Sequence, residues 1–537
     1  MRIMNSLFLV ISMFFSGLFF SSCASNTNEK KIQDIVNYAE GLALEKNTLT
    51  LTIGAVEKLN IIPAPVKANN VNLIWETSNP DLINISQDGV VKAINFSSGG
   101  NSEFREGAAT GTAIIIVRTA DGKFEDSIEV TATTAALTSM DTLPPLKDRF
   151  ADFFLTGNIA GAVPAGPDSE ITGNGESVII GNTRLIRHYN TLTAENHMKP
   201  SYITNGRNAA TGEITWTWTN ADRFVNAAEN SGFNIIGHTL LWHSQIPAWQ
   251  HEIGGRRGTA GNYSWNIANV MSKDEALIIM REFVNAVVSR YAGRIHTWDV
   301  LNEIFPDSVT ETMDWKTAMR GIGDSQGPNP WFVAIGADFV YEGFLAARLA
   351  DPNARLYYND YNTDAADKAV LIRNMIRDVN ERYRLEHGNA EHSNFGARSL
   401  IEGIGMQEHH NTGISADRIR NSINIFRELP GVTLSVTELD LLGQGWNDFR
   451  SAGGEGANQQ GSSTVTNDGI MNQARLYGEY MALYLENSDI IERVSWWGVR
   501  DSQSWRSRGL PLLFDSDWNA KPAYYKVIEA LENHLRE

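Results

Sequence analysis

The sequence predicts an α/β fold class, a (β/α)8 barrel preceded by a small all-β sandwich, and three observations carry that prediction. Residues 47–134 hold short, alternating, β-branched runs broken by Asn, Asp and Gly turns. From about residue 143 apolar runs alternate with longer amphipathic segments, eight times over, and eight β/α pairs in one unit argue for a closed barrel rather than an open sheet. The polar residues of that second region cluster at the C-terminal ends of its apolar runs, the end at which barrels carry their chemistry.

The chain opens on a leader. Arg2 precedes an apolar run over residues 7–20, followed by Ser21, Ser22 and Cys23, which has the charged start, short apolar core and small residues of an export signal and is short for a bilayer span. It resembles a bacterial lipoprotein signal, with residues 1–22 removed and Cys23 lipidated. Phe20 stands where that pattern usually has an aliphatic residue. Residues 23–45, beginning CASNTNEKK, are expected to form a polar tether. Cys23 is the only cysteine of 537 residues, which excludes an internal disulfide and any multi-cysteine metal site. A net charge of −18 speaks against nucleic acid or an anionic membrane surface as partner.

Residues 46–135 contain TLTLTIG, VNLIWETS, GTAIIIVRT and DSIEVTAT, separated by turns such as SQDGV and ADGKF. Strands of that length and spacing predict a sandwich. The run WETSNPDLINISQDGVVKA, with the strand and TADG turn that follow, resembles the bacterial immunoglobulin-like group 2 domains. Trp75 lies inside an apolar strand run and is expected in the core rather than on a sugar-binding surface, so the unit is read as a spacer.

After TSMDTLPPLKD, residues 143–537 form the barrel. Its strands are read in DFFLTGNIA, NTLTAEN, FNIIGHTLLWH, IHTWDVLNE, ARLYYNDYN, EGIGMQEHH, TLSVTELD and RVSWWGVRD, with helices over 274–293, 330–352 and 416–431 among the connections. At the strand ends stand Glu195 and Asn196, His238 and His243, Asn302 and Glu303, Asn359 to Asn362, Gln407 and His409, and Glu438 and Asp440. A capping role would serve for any one of them, but not for groups at the same end of six strands.

Two of these residues suit glycosidic cleavage, which needs one carboxylic acid to protonate the leaving oxygen and a second carboxylate to attack carbon or activate water. Glu303 and Glu438, ending the fourth and seventh strands, face each other across a barrel mouth. Carboxyls about 5 to 5.5 Å apart give retention and about 6.5 to 9.5 Å inversion. Asp440 lies on the same strand face as Glu438, and His409 ends the adjacent strand, so an imidazole between the two acids would keep Glu438 ionised. Glu438 is then the nucleophile and Glu303 the acid and base.

The segments TAENHMKP, GHTLLWHSQIPAW, WDVLNE, YYNDYN, GIGMQEHH, TELD and WWGVRDSQSWR occur in this order, and together they resemble glycoside hydrolase family 10, the endo-β-1,4-xylanases. The resemblance implies Glu303 as acid/base and Glu438 as nucleophile. It further implies that Glu195, Asn196, Lys199, His238, Trp242 and Gln245 bind sugar on the glycone side and that Asn302 holds a 2-hydroxyl. Gln407 and His409 would surround the nucleophile, Tyr361 would stack on the aglycone side, and Trp497 and Trp505 would wall the sugar at the scissile bond. Leu301 and Met406 stand where Val and Phe are commoner, and His197 and Glu408 fall at variable positions. The Gly- and Ser-rich loop over 443–468 is longer than a barrel needs, and reads equally as a lid or an insertion.

The expected activity is endo-acting hydrolysis of xylan with retention. The rival readings are another β-1,4-glycanase, such as a cellulase or mixed-linkage glucanase, and a surface glycan-binding lipoprotein without catalysis. No metal or organic cofactor is called for by any motif. The expected partner is polysaccharide, met by a monomer that is exported and either anchored through Cys23 or secreted.

Overall fold

The computed structural model describes residues 40–536 apart from 53–55, 65–71, 81, 94–110, 134–137, 162–181, 209, 260–261, 389–397 and 452–463. The leader, Cys23 and nearly all of the expected tether lie outside the described residues. Among the described residues no helix is long and apolar enough to cross a membrane.

The N-terminal unit is a strand-rich sandwich. One sheet runs Thr48–Thr52, Glu125–Thr133, Gly111–Thr119, Leu73–Thr77, and a three-stranded sheet orders Val56–Lys58, Val90–Ala93 and Ile83–Ile85. Alternation in the sequence becomes alternation in burial: along Gly111–Thr119, Ala113, Ile115 and Val117 are buried while Thr112 and Ile114 are exposed. Trp75 is 4% exposed and belongs to this core, as its strand context predicts. Strand structure is present before residue 46. Gly41–Leu44 pairs antiparallel with Ile61–Ala64 and buries Leu44, so the last residues assigned to the tether are part of the strand layer. Leu42 and Leu44 supply the apolar side that makes this favourable.

The barrel strands are β1 (Leu155–Ala160), β2 (Thr191–Ala194), β3 (Asn234–Leu241), β4 (Thr297–Asn302), β5 (Arg355–Asp360), β6 (Gly403–Met406), β7 (Thr433–Leu441) and β8 (Ile491–Trp496). Each pairs in parallel with the next, β8 returns to β1, and the sheet closes. All eight fall in the apolar runs read from the sequence. Strands with helices outside and side chains inside are buried on both faces, and β4 is buried at every position. Close approach inside the ring needs small residues. A Cβ on Gly405 of β6 would sit 2.1 Å from the Asn359 amide oxygen of β5, so glycine there lets Asn359 stand upright at the mouth.

Of the helices expected, Lys273–Arg290 and Ala416–Phe426 form close to the predicted spans. Residues 330–352 instead make two helices, Pro330–Ile335 and Asp338–Ala350. Gly336 adopts φ 78° between them, a left-handed stop that glycine accepts without Cβ strain.

Candidate active site

The strand register gathers the predicted carboxylates. Glu303 N donates to Asn359 O at 2.9 Å, Gln407 N to Asp360 O at 3.0 Å, and Glu438 N to Gln407 O at 3.0 Å. The first two bonds extend the ladder one residue past β4 and β6, the third lies within β7, and together they fix three side chains around one opening. Among the described residues, Gln245, Glu303, Asn362 and Glu408 take positive φ (45°, 55°, 49° and 60°) at or just beyond barrel strand ends. Left-handed backbone in non-glycine residues costs energy and concentrates at functional sites.

Glu438 is 4% exposed. Its Oε1 accepts from Asn359 Nδ2 at 2.8 Å, and its Oε2 lies 3.1 Å from His409 Nε2. Burial alone would push this carboxyl toward its neutral form, but the His409 hydrogen bond, the His238 and His409 rings and the Asn359 amide outweigh it and hold the group below the ordinary glutamate value. The other His409 nitrogen, Nδ1, is 3.0 Å from Asp440 Oδ2. Burial opposes charge on His409 too, yet the acids on either side raise it to about 9. Asp440 is lowered to about 2: burial disfavours its charge, and His409 with Arg506 more than compensates. Two carboxylates and two cations thus lock each other in the charged state. Trp505 Nε1 donates to Asp440 Oδ2 at 2.8 Å, which ties the outermost indole to the same network.

Glu303 is half-buried and faces three donors. Trp242 Nε1 reaches Oε2 at 2.9 Å, while Gln407 Nε2 and Asn302 Nδ2 reach Oε1 at 3.0 and 3.2 Å. Asn302 Oδ1 in turn accepts from Asn359 Nδ2 at 2.9 Å. Two carboxamides, Asn302 and Asn359, therefore stand between the two acids. Asn359 is held in one orientation because its Oδ1 accepts from Thr437 Oγ1 at 2.7 Å.

On one side of the opening, Lys199 Nζ donates to Gln245 Oε1 at 2.7 Å and Asn196 Oδ1 at 3.1 Å and lies 5.2 Å from the Trp242 ring. Burial lowers the Lys199 pKa, partly offset by Glu438, Glu195 and Glu303. Glu195 is buried beside this group. His238, buried, places Nδ1 3.0 Å from Asp299 Oδ2, and burial holds His243 largely neutral, at about 4. The two predicted wall residues differ. Trp497 is 6% exposed, its ring 5.5 Å from His238 and 6.2 Å from His409, whereas Trp505 is 49% exposed. Tyr361 has Lys368 Nζ 4.0 Å from its ring centre and its hydroxyl bound by Arg320 at 2.7 Å, so one of its faces is taken by an ammonium.

Sequence reading assigns no specific role to four contributors. Asn359 was visible only as one of several polar tips in YYNDYN. Arg506 follows Trp505 directly and gave no sign of its ion pair with Asp440. Lys368, on helix Ala366–His387, pairs with Asp360 at 2.8 Å. Arg320, in the loop after β4, is 1% exposed and donates to Glu303 O at 2.8 Å, to Asp324 at 2.9 Å and to Tyr361.

The chain is 29% identical over 395 residues to the endo-1,4-beta-xylanase of Geobacillus stearothermophilus, covering 72% of this chain and 98% of that one. It is 29% identical over 415 residues to endo-1,4-beta-xylanase A of Thermotoga neapolitana, covering 75% of this chain but only 33% of that relative's length. Among solved structures, a bacterial Ig-like domain containing GH10 xylanase from termite gut is 48% identical, with a TM-score of 0.68, covering 91% of this chain and 99% of that one. Residues 169–530 match the family described as glycosyl hydrolase family 10; the chain belongs to that family.

Proposed function

We propose that the protein is an endo-acting hydrolase of β-1,4-xylosidic bonds in xylan, working by double displacement with retention. The observation that carries this reading is the charged chain Glu438–His409–Asp440–Arg506 opposite a Glu303 that faces three donors. Glu438, kept ionised, attacks the anomeric carbon as Glu303 gives its proton to the departing glycosidic oxygen. Glu303 Oε2, engaged by Trp242 Nε1 at 2.9 Å, keeps a lone pair for that proton. Consuming the Glu438 charge in the glycosyl-enzyme then favours ionisation of Glu303, which withdraws a proton from the water that attacks the anomeric carbon, breaking the bond to Glu438 and restoring its carboxylate. Lys199, Asn196, Gln245, Glu195, His238 and Trp242 bind the glycone sugars, Asn302 the 2-hydroxyl, and Trp497 and Trp505 wall the ring at the cleavage point. Tyr361 offers a single face on the aglycone side.

NMR of the products released from xylan tests the reading: the β-anomer appears first, and Glu438→Ala abolishes release. Initial inversion, or undiminished reducing-sugar release by the variant, refutes it. Faster hydrolysis of soluble cellulose derivatives than of xylan would reassign the substrate to a β-1,4-glucan. Export and lipid anchoring through Cys23 belong to the same proposal, and Cys23→Ser is expected to release the enzyme from the membrane fraction.

A further inference from the structure

The loop after β7 acquires no role in the reaction above, yet its first turn is built with care. Gly443 N donates to Gly509 O at 2.8 Å and Leu441 N to Pro511 O at 3.1 Å, so the loop starts pinned to the segment that carries Trp505. The short helix Trp446–Ser451 follows, and Phe449 anchors it, 1% exposed. Trp446 precedes Phe449 by one turn and is 38% exposed. Of the 14 tryptophans, only Trp446 and Trp505 are open to this degree. Both flank the same guanidinium: Arg506 lies 5.4 Å from the Trp446 ring centre and 5.6 Å from that of Trp505. Arg506 cannot swing away, because it is 2% exposed and bound to Asp440 and to His410 O.

Leaving a tryptophan open forfeits the stabilisation its burial would bring. A flat apolar face, held from one side by the guanidinium that also lies beside Trp505, matches the apolar face of a pyranose. We infer that Trp446 forms a further sugar-binding position, taking a xylosyl unit of the polysaccharide beyond those that flank the scissile bond. This rests on the xylan-hydrolase reading above.

The test compares wild type with Trp446→Ala and Trp446→Phe on soluble xylan and on an aryl β-xylobioside, which is too short to reach the new position. The alanine variant is expected to raise KM for xylan about five- to tenfold with kcat retained, the signature of lost uniform binding. Phenylalanine should recover most of that loss, and both variants should cleave the aryl xylobioside at the wild-type rate with an unchanged melting temperature. An unchanged KM on xylan, or an equal loss on both substrates, overturns the sugar position and leaves the activity standing. Wild-type enzyme inactive on both substrates overturns the activity and the inference together.

Discussion

Replacing His409 with Asn removes the cation between two buried acids. In the native protein its Nε2 is 3.1 Å from Glu438 and its Nδ1 3.0 Å from Asp440. Hydrogen bonds to charged groups contribute about 1.5–3 kcal/mol, and each 1.36 kcal/mol is tenfold in rate. Asp440 keeps Arg506 and Trp505 after the change, so the burden falls on Glu438, left with Asn359 as its direct donor. Its carboxyl becomes less acidic, and the ionised fraction falls. A roughly ten- to hundredfold loss of kcat/KM is expected on the acid side of the profile, with the acid limb displaced to higher pH and activity partly recovered as pH rises. The assay is kcat/KM against pH on an aryl β-xylobioside, which reports the free enzyme. A loss equal at every pH, with the acid limb unmoved, would refute the electrostatic role and leave His409 as a sugar contact alone.

Stability should follow the same groups. His409 is raised to about 9 from 6.5, so its contribution is complete below the unfolded value and is lost as pH rises through about 9; Asp440, lowered to about 2 from 3.8, contributes above 3.8 and loses it as pH falls through about 2. Denaturant titrations across both ranges check this, and His409→Asn should flatten the alkaline fall. Arg320→Gln removes the donor to the Glu303 carbonyl and should cost about 3 kcal/mol of stability as a broken buried pair. It should also slow xylan cleavage at least tenfold while sparing a dinitrophenyl xylobioside, whose leaving group needs no proton; equal losses on both would make Arg320 a support of the fold only. Gly405→Ala drives a Cβ to within 2.1 Å of Asn359, and overpacking of this kind costs about 1–3 kcal/mol, so melting temperature and kcat should fall together. Trp75→Ala should destabilise the sandwich by about 3–5 kcal/mol, seen by calorimetry, with hydrolysis of the aryl xylobioside untouched.

The sequence revealed what repeats with a period or ends a run. A strand buried on both faces reads as a continuous apolar stretch, and a polar pair closing it, as Asn302 and Glu303 close β4, marks the mouth. His409 beside Glu438 and Asp440 could be placed because strands six and seven are neighbours in any such barrel. Arg320 could not, since it lies in the loop after β4 and finds Glu303 only through the path that loop takes. Lys368 sits near the start of a 22-residue helix, where a lysine ordinarily faces water, yet it is 1% exposed beneath Tyr361. The break at Gly336 was hidden because the apolar pattern continues on both sides of it.

Asn302 and Asn359, the carboxamides between the two acids, also insulate them. A carboxamide donates hydrogen bonds but has no readily transferable proton, unlike an imidazole or a water in the same place. A proton on either carboxyl therefore has no direct relay across this bridge to the other, and the two acids exchange protons only with substrate and water, each by its own route.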